Sequence, residues 1–159
     1  MVIWVTGMSG TGKTTLCNTI WELLKPRLPQ LVLLDGDAVR AALGHGLGYR
    51  EEDRVVQITR IQNMAKLLSD QDLVVLVAAL YSRPDLLAWN RQNINDYFEV
   101  YLKASPETVR QRDNKGLYAK ADSGEMPDVV GVDIPWQAPQ SADLIIDCDI
   151  DEPVNVLAS

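Results

Sequence analysis

The run Gly7-Met8-Ser9-Gly10-Thr11-Gly12-Lys13-Thr14 fits the pattern G-x-x-x-x-G-K-S/T. Its glycines let backbone N–H groups turn toward a β-phosphate, and a helix that follows offers its positive N-terminus. Lys13 is placed to reach the β- and γ-phosphates, and the Thr14 hydroxyl to ligate Mg²⁺. The candidate ATP-binding residues are therefore Gly7, Ser9, Gly10, Thr11, Gly12, Lys13, Thr14 and Thr15, with ATP and Mg²⁺ implied. From average residue frequencies the pattern should arise by chance in roughly one chain of this length in a few hundred.

A second pair of chemical residues is Asp35-Gly36-Asp37. It follows the apolar run Leu31-Val32-Leu33-Leu34, which places both carboxylates at the C-terminal edge of a sheet, where α/β proteins bind ligands. Asp35 is the candidate to hold Mg²⁺ through water, beside Thr14. Asp37 is the candidate to accept a proton from a substrate hydroxyl attacking the γ-phosphate. The plainer alternative has Asp37 capping the helix that begins at Ala38. Motor ATPases and GTPases usually carry an Asp at the end of a neighbouring hydrophobic strand, and Leu73 to Leu80 ends without one. Asn114-Lys115-Gly116-Leu117 starts like a guanine-reading N-K-x-D but lacks the Asp. A binding module without catalysis would be expected to have lost Lys13 or Asp37, and both are present.

These residues need a scaffold of alternating strands and helices. Val2 to Thr6 is a short β-branched run that reads as a buried strand, and Thr15 to Lys25 has apolar residues at helical spacing. Leu31 to Leu34, Leu73 to Ala79, Tyr97 to Lys103 and Ala142 to Asp147 read as further strands. Helices are expected over Ala38 to Leu43, Glu51 to Ser69, Asp85 to Asn95 and from Pro106 to Arg112. Gly116 to Pro139 is rich in Gly, Pro, Asp and Lys with little periodicity, which predicts a mobile lid and loop. Asp151 to Ser159 reads as the start of a terminal helix. The alternation predicts one α/β domain over residues 1–159, a parallel sheet with helices on both faces in three α/β/α layers.

Composition narrows the partners. A net charge of −7 argues against a nucleic acid polymer or an anionic membrane, both of which need a basic face. It leaves room for an anionic small molecule held by a few converging Arg and Lys. The longest apolar run, Leu73 to Tyr81, is about half of a membrane span. The strand-like run from Val2 leaves no room for a signal peptide, and Cys17 and Cys148 have no metal-ligand spacing. The expectation is a cytoplasmic protein with two reduced cysteines. His45, the single histidine, sits in a glycine-rich loop and reads as a loop residue.

Several segments together carry a family resemblance. They are the phosphate loop through Leu16, Leu34-Asp35-Gly36-Asp37-Ala38-Val39-Arg40, and Gly46 to Arg54. Arg112-Asp113-Asn114-Lys115-Gly116-Leu117-Tyr118 and Gly131-Val132-Asp133-Ile134-Pro135 complete the set. In this order they resemble the adenylylsulfate kinases over nearly the whole chain. The resemblance implies a P-loop kinase fold with a lid over about 112–139. It also implies Mg·ATP-dependent phosphorylation of a small nucleotide-like molecule, the 3′-hydroxyl of adenosine 5′-phosphosulfate, in sulfate assimilation. A homodimer is compatible with it.

Carried over by position, the resemblance implies substrate contacts from Asp37, Arg40, Tyr49, Arg54, Gln57, Lys115, Gly116, Leu117, Lys120 and Val129. Arg40 and Arg54 would grip the phosphosulfate or ribose with a planar fork, or else sit in exposed ion pairs. Tyr49 would offer a face to a base, or pack its loop onto the core. Arg112 would cover the ATP adenine, and Lys115 and Lys120 would close with the lid, or remain solvated. The chain departs from the family on the acceptor side. A family Asn becomes Gln57 and an Arg becomes Thr59, Leu80-Tyr81-Ser82-Arg83 replaces a different segment, and Val129 replaces an aromatic. A smaller base pocket at Val129 would suit a pyrimidine, which keeps another nucleotide such as cytidine diphosphoramidate open as acceptor.

Overall fold

In the computed structural model, which describes residues 1–44 and 46–150, the chain alternates strand and helix as the pattern requires. The elements are β1 (Val2–Thr6), α1 (Lys13–Leu24), β2 (Leu31–Asp35), α2 (Gly36–Ala42), α3 (Glu51–Ser69) and β3 (Val74–Ala79). They continue with α4 (Pro84–Asn93), β4 (Tyr97–Lys103), α5 (Pro106–Gln111), α6 (Leu117–Asp122) and β5 (Leu144–Asp147). Every strand pair is parallel and the sheet order is β2-β3-β1-β4-β5.

Period-two alternation along the strands builds two cores. Val2, Trp4, Val75, Val77 and Ala79 face α2, α3 and α4 through Val39, Ile58, Ile61, Ala65, Leu86 and Leu87. Val5, Leu76, Ala78, Val100 and Leu102 face α1, α5 and α6 through Leu16, Cys17, Val109 and Tyr118. This is the expected three-layer α/β/α domain. Fully burying each such aliphatic side chain is worth about 1.5–3 kcal/mol, so the two cores fix the strand edges on which the site stands.

The order of strands makes the site. After β1 the chain goes two places to β2, returns through β3, then crosses to β4 on the other side of β1. Connections therefore leave β1 and its neighbours toward opposite faces, which opens a crevice at the carboxyl end of β1. Gly7 stands there.

Two expectations differ from the structure. The segment read as structureless from Gly116 contains α6, whose first N–H groups are taken by the Asp113 carboxylate from Leu117, Tyr118 and Ala119 at 2.8, 2.9 and 3.0 Å. Farther along, Asp133 accepts from the N–H groups of Asp128 and Val129, and a bridge joins Val130 to Ile134. The helix at Asp85 starts at Pro84 and ends at Asn93, because Ile94 is extended and buried. The expected terminal helix at Asp151 to Ser159, like His45, lies outside the described residues.

Toward the amino ends of the strands lies a polar cluster. Glu99 is 1% exposed in β4. It accepts from Tyr97 Oη at 2.7 Å, with Asn90 donating to that hydroxyl and Gln62 to Asn90. Burial raises the Glu99 carboxyl above its ordinary range, and Arg91 stands 3.8 Å away. Among the described residues, no helix is long and apolar enough to cross a membrane.

Candidate active site

The phosphate loop is a strand-to-helix turn that only glycine can make at its first position. Gly7 has φ +155°, and a Cβ there would stand 2.6 Å from the Leu102 carbonyl oxygen and 2.9 Å from Thr11 Oγ1. The loop is braced from beneath and from the side. Thr11 is fully buried and donates its hydroxyl to the Met8 carbonyl at 2.9 Å, and Tyr118 Oη on α6 donates to the Ser9 carbonyl at 3.0 Å. Helix α1 begins at Lys13 without any side-chain cap, so its first N–H groups remain aimed into the loop.

Lys13 Nζ donates to the carbonyls of Gly7 at 2.8 Å and Met8 at 2.7 Å. Burial pulls its pKa down to about 8, with Asp37 acting in the opposite direction. Bound polyphosphate would hold the same ammonium protonated. ATP binding at pH 8 should therefore take up roughly half a proton, and more at pH 9. Affinity should fall as pH rises through about 8, because the free chain has by then lost the proton that the complex retains. Calorimetric titration in two buffers of different ionisation enthalpy checks this, and no uptake at pH 8 would contradict it. Beside Lys13, Cys17 is pushed up to about 12, first by burial, so it remains a protonated thiol.

The two carboxylates after β2 have separate partners. Asp35 Oδ1 accepts from the N–H groups of Asp37 and Ala38 at 3.0 and 3.2 Å, and caps α2. Its Oδ2 accepts from Thr14 Oγ1 at 2.8 Å. The capping role, the plainer alternative for Asp37, is supplied by Asp35, which leaves the Asp37 carboxylate to face the crevice. The Thr14 hydroxyl and Asp35 carboxylate form a pair of hard oxygen donors beside the loop. That donor chemistry fits Mg²⁺, which takes few protein ligands and keeps water and phosphate oxygens.

Asp37 Oδ2 is bonded to Lys115 Nζ at 2.8 Å. This contact raises the Lys115 pKa, to which Asp35 and Tyr49 also contribute, so all four groups share one electrostatic neighbourhood. Arg40 lies three residues after Asp37 on α2, hence on the same helix face. Its Nη1 donates to the carbonyls of Leu47 and Gly48 at 3.1 and 2.9 Å. Arg54, in the first turns of α3, donates to the Tyr49 carbonyl at 2.8 Å and to the Asp128 carbonyl at 2.7 Å. Both guanidinium carbons lie over the Tyr49 ring, at 4.7 and 5.6 Å from its centroid. Neither arginine has an acidic partner within 4.0 Å among the described residues. Tyr49 itself is half exposed, held as a platform between loop and arginines.

The remaining candidate residues border the crevice or pack beneath it. Gln57 is 5% exposed and donates to the Gly36 carbonyl at 3.2 Å, while its Oε1 is buried without a partner. Val129 is 2% exposed and packs into the core with Met8 and Tyr118, so its smaller side chain does not enlarge an open base pocket. Leu117 packs against the same core, and Gly116 caps α6 in the left-handed region. Lys120 is exposed, and no side-chain partner holds it among the described residues. Arg112 ends α5 and donates to the Cys148 carbonyl at 3.1 Å. Sequence reasoning assigned no role to Tyr118 or Asp113, although both lie in a quoted motif. It also missed Glu51, which accepts from Tyr81 Oη at 2.6 Å and ties the start of α3 to the end of β3.

Comparison with known proteins gives this site its context. The family model described as Adenylylsulphate kinase matches residues 1–147. An adenylyl-sulfate kinase of Deinococcus deserti is 42% identical over 152 residues, covering 93% of this chain and 82% of the relative. The cytidine diphosphoramidate kinase of Campylobacter jejuni is 39% identical over 145 residues, covering 91% and 84%. The structure of the Mycobacterium tuberculosis APS kinase in complex with AMPPNP and APS superposes with a TM-score of 0.87 at 34% identity, covering 98% of this chain and 91% of that one. The chain therefore belongs to the adenylylsulfate kinase family, ATP phosphotransferases with an alcohol group as acceptor.

Proposed function

We propose that this kinase transfers the γ-phosphoryl group of ATP to the 3′-hydroxyl of adenosine 5′-phosphosulfate. The observation that carries the reading is the cation cluster beside Asp37. Arg40 and Arg54, which have no acidic partner among the described residues, share the Tyr49 ring, and Lys115 stands at Asp37 on the Arg40 face of α2. Arginine grips such oxyanions through a planar fork and cannot be neutralised at working pH.

In this reading the phosphate loop holds the triphosphate, with Lys13 against its β- and γ-oxygens. Thr14 and Asp35 hold Mg²⁺, which neutralises charge on the phosphates when bound. The acceptor hydroxyl gives its proton to Asp37. Its oxygen bonds to the γ-phosphorus as the bond from that phosphorus to the β-bridging oxygen breaks, releasing ADP. Residues 112–139 act as the lid that excludes water, with Arg112 near the adenine and Lys115 above Asp37. Tyr118 couples that lid to the loop through the Ser9 carbonyl.

The test separates acceptor from donor. Arg40→Met should raise the acceptor KM about 10- to 100-fold, the range for losing a charged hydrogen bond. The KM for ATP should stay within about threefold. Equal losses on both substrates would refute the anionic-acceptor assignment.

A second reading, phosphorylation of cytidine diphosphoramidate, is favoured by the 39% identity to a kinase of that name. It uses the same donor machinery and the same cations.

A further inference from the structure

The group assigned as the base does not stand alone. Asp37 lies in the first turn of α2, and its Oδ2 is taken by Lys115, which comes from 78 residues away in the turn before α6. An ammonium at 2.8 Å occupies the lone pair that an acceptor hydroxyl would need. To work as a base, Asp37 must exchange that partner for the acceptor hydroxyl. Exchange is easy here. The two side chains are 71% and 74% exposed, and ion pairs so open to water are weak.

What would draw Lys115 away is also in place. Arg40 sits on the same face of α2 as Asp37, and Arg54 shares the Tyr49 platform with it. An anionic group seated on those arginines lies beside the Asp37 face of α2, where Lys115 is held. The neighbouring anion then offers the ammonium a second partner at no cost in charge.

We propose that Lys115 masks Asp37 and that the anionic group of the acceptor removes the mask by taking Lys115 for itself. The base is uncovered only when a charged acceptor is seated. Water and uncharged hydroxyl compounds, which cannot recruit Lys115, meet a blocked carboxylate. Lys115 is then a specificity residue acting through Asp37, and the inference rests on Asp37 being the base.

The experiment begins with ATP hydrolysis by the purified chain with Mg²⁺ and no acceptor. Lys115→Met should hydrolyse ATP about two- to fivefold faster than the natural chain, because water reaches the uncovered base. Lys115→Arg should restore the low rate, and the double variant Lys115→Met, Asp37→Asn should abolish the gain. With acceptors, the natural chain should strongly prefer adenosine 5′-phosphosulfate to adenosine in kcat/KM. Lys115→Met should reduce that ratio about two- to fivefold, largely by gaining on adenosine. Hydrolysis by Lys115→Met no faster than the natural rate would overturn the mask. A separate arm isolates the premise: transfer surviving in Asp37→Asn alone would remove the base assignment itself. Because the pair is exposed, melting curves of the single variants should superpose on that of the natural chain.

Discussion

Asp37→Asn should lower turnover by about 100- to 10,000-fold, the usual contribution of a positioned general base. ATP affinity should stay within about threefold. The structure makes the contrast sharp because it divides labour between the two aspartates. Asp35 is committed on both oxygens, to the start of α2 and to Thr14. Among the described residues the Asp37 side chain bonds only to Lys115, through an exposed pair worth about 0–1 kcal/mol. The substitution should therefore spare the melting temperature as it removes the chemistry. Equilibrium binding of a fluorescent ATP analogue, alongside steady-state rates, would check both halves. If Asp37→Asn weakened ATP binding as much as turnover, the division of labour would be wrong.

The second large effect is expected at Gly7. Alanine there would put its Cβ 2.6 Å from the Leu102 carbonyl oxygen, which is backbone in the centre of the sheet and cannot yield. The φ of +155° adds strain of about 1–3 kcal/mol for a residue with a side chain. The loop must shift instead, and misplacement of about 1 Å near a reacting group can cost 100-fold. Gly7→Ala should lower kcat/KM by at least about 100-fold and the melting temperature by about 5 °C. Calorimetry and a kinase assay on the same preparation would measure the two together. Normal activity would show that the loop tolerates a side chain where the geometry forbids one.

The parts of this molecule that were readable in its sequence are those governed by short-range rules. Strand β4 and helix α3 appear with the predicted bounds, since strand periodicity and a 19-residue amphipathic stripe are local signals. The phosphate loop is likewise a contiguous motif, and the structure places it between β1 and α1. Helix α6 escaped notice because its start is set by Asp113 reaching forward to three N–H groups from before a left-handed Gly116. The cap of α2 went to Asp35 rather than Asp37 for a similar reason. The choice depends on where the backbone leaves its extended state, at ψ 133° on Asp35.

Long-range geometry was the least legible part. The pairing of Asp37 with Lys115 spans 78 residues, and that of Arg54 with Asp128 spans 74. Neither follows from spacing. Gln57 and Val129 were both placed by position against a substrate, and both are almost fully buried. Burial of Val129 is decided by how residues 128–134 fold back on the phosphate loop, where Gly131 leaves Met8 Sδ only 3.2 Å from a would-be Cβ.

The central claim is that the γ-phosphoryl group of ATP passes to a hydroxyl of an anionic nucleotide held beside Asp37. The most direct measurement offers the purified chain γ-labelled ATP and Mg²⁺ with equal concentrations of adenosine 5′-phosphosulfate and cytidine diphosphoramidate, then separates the nucleotides. The expected result is label on the 3′-oxygen of adenosine 5′-phosphosulfate, matching the ADP formed mole for mole. Label on the cytidine compound would keep the chemistry and transfer the acceptor to the second reading. ADP released with no label on either nucleotide would contradict the account.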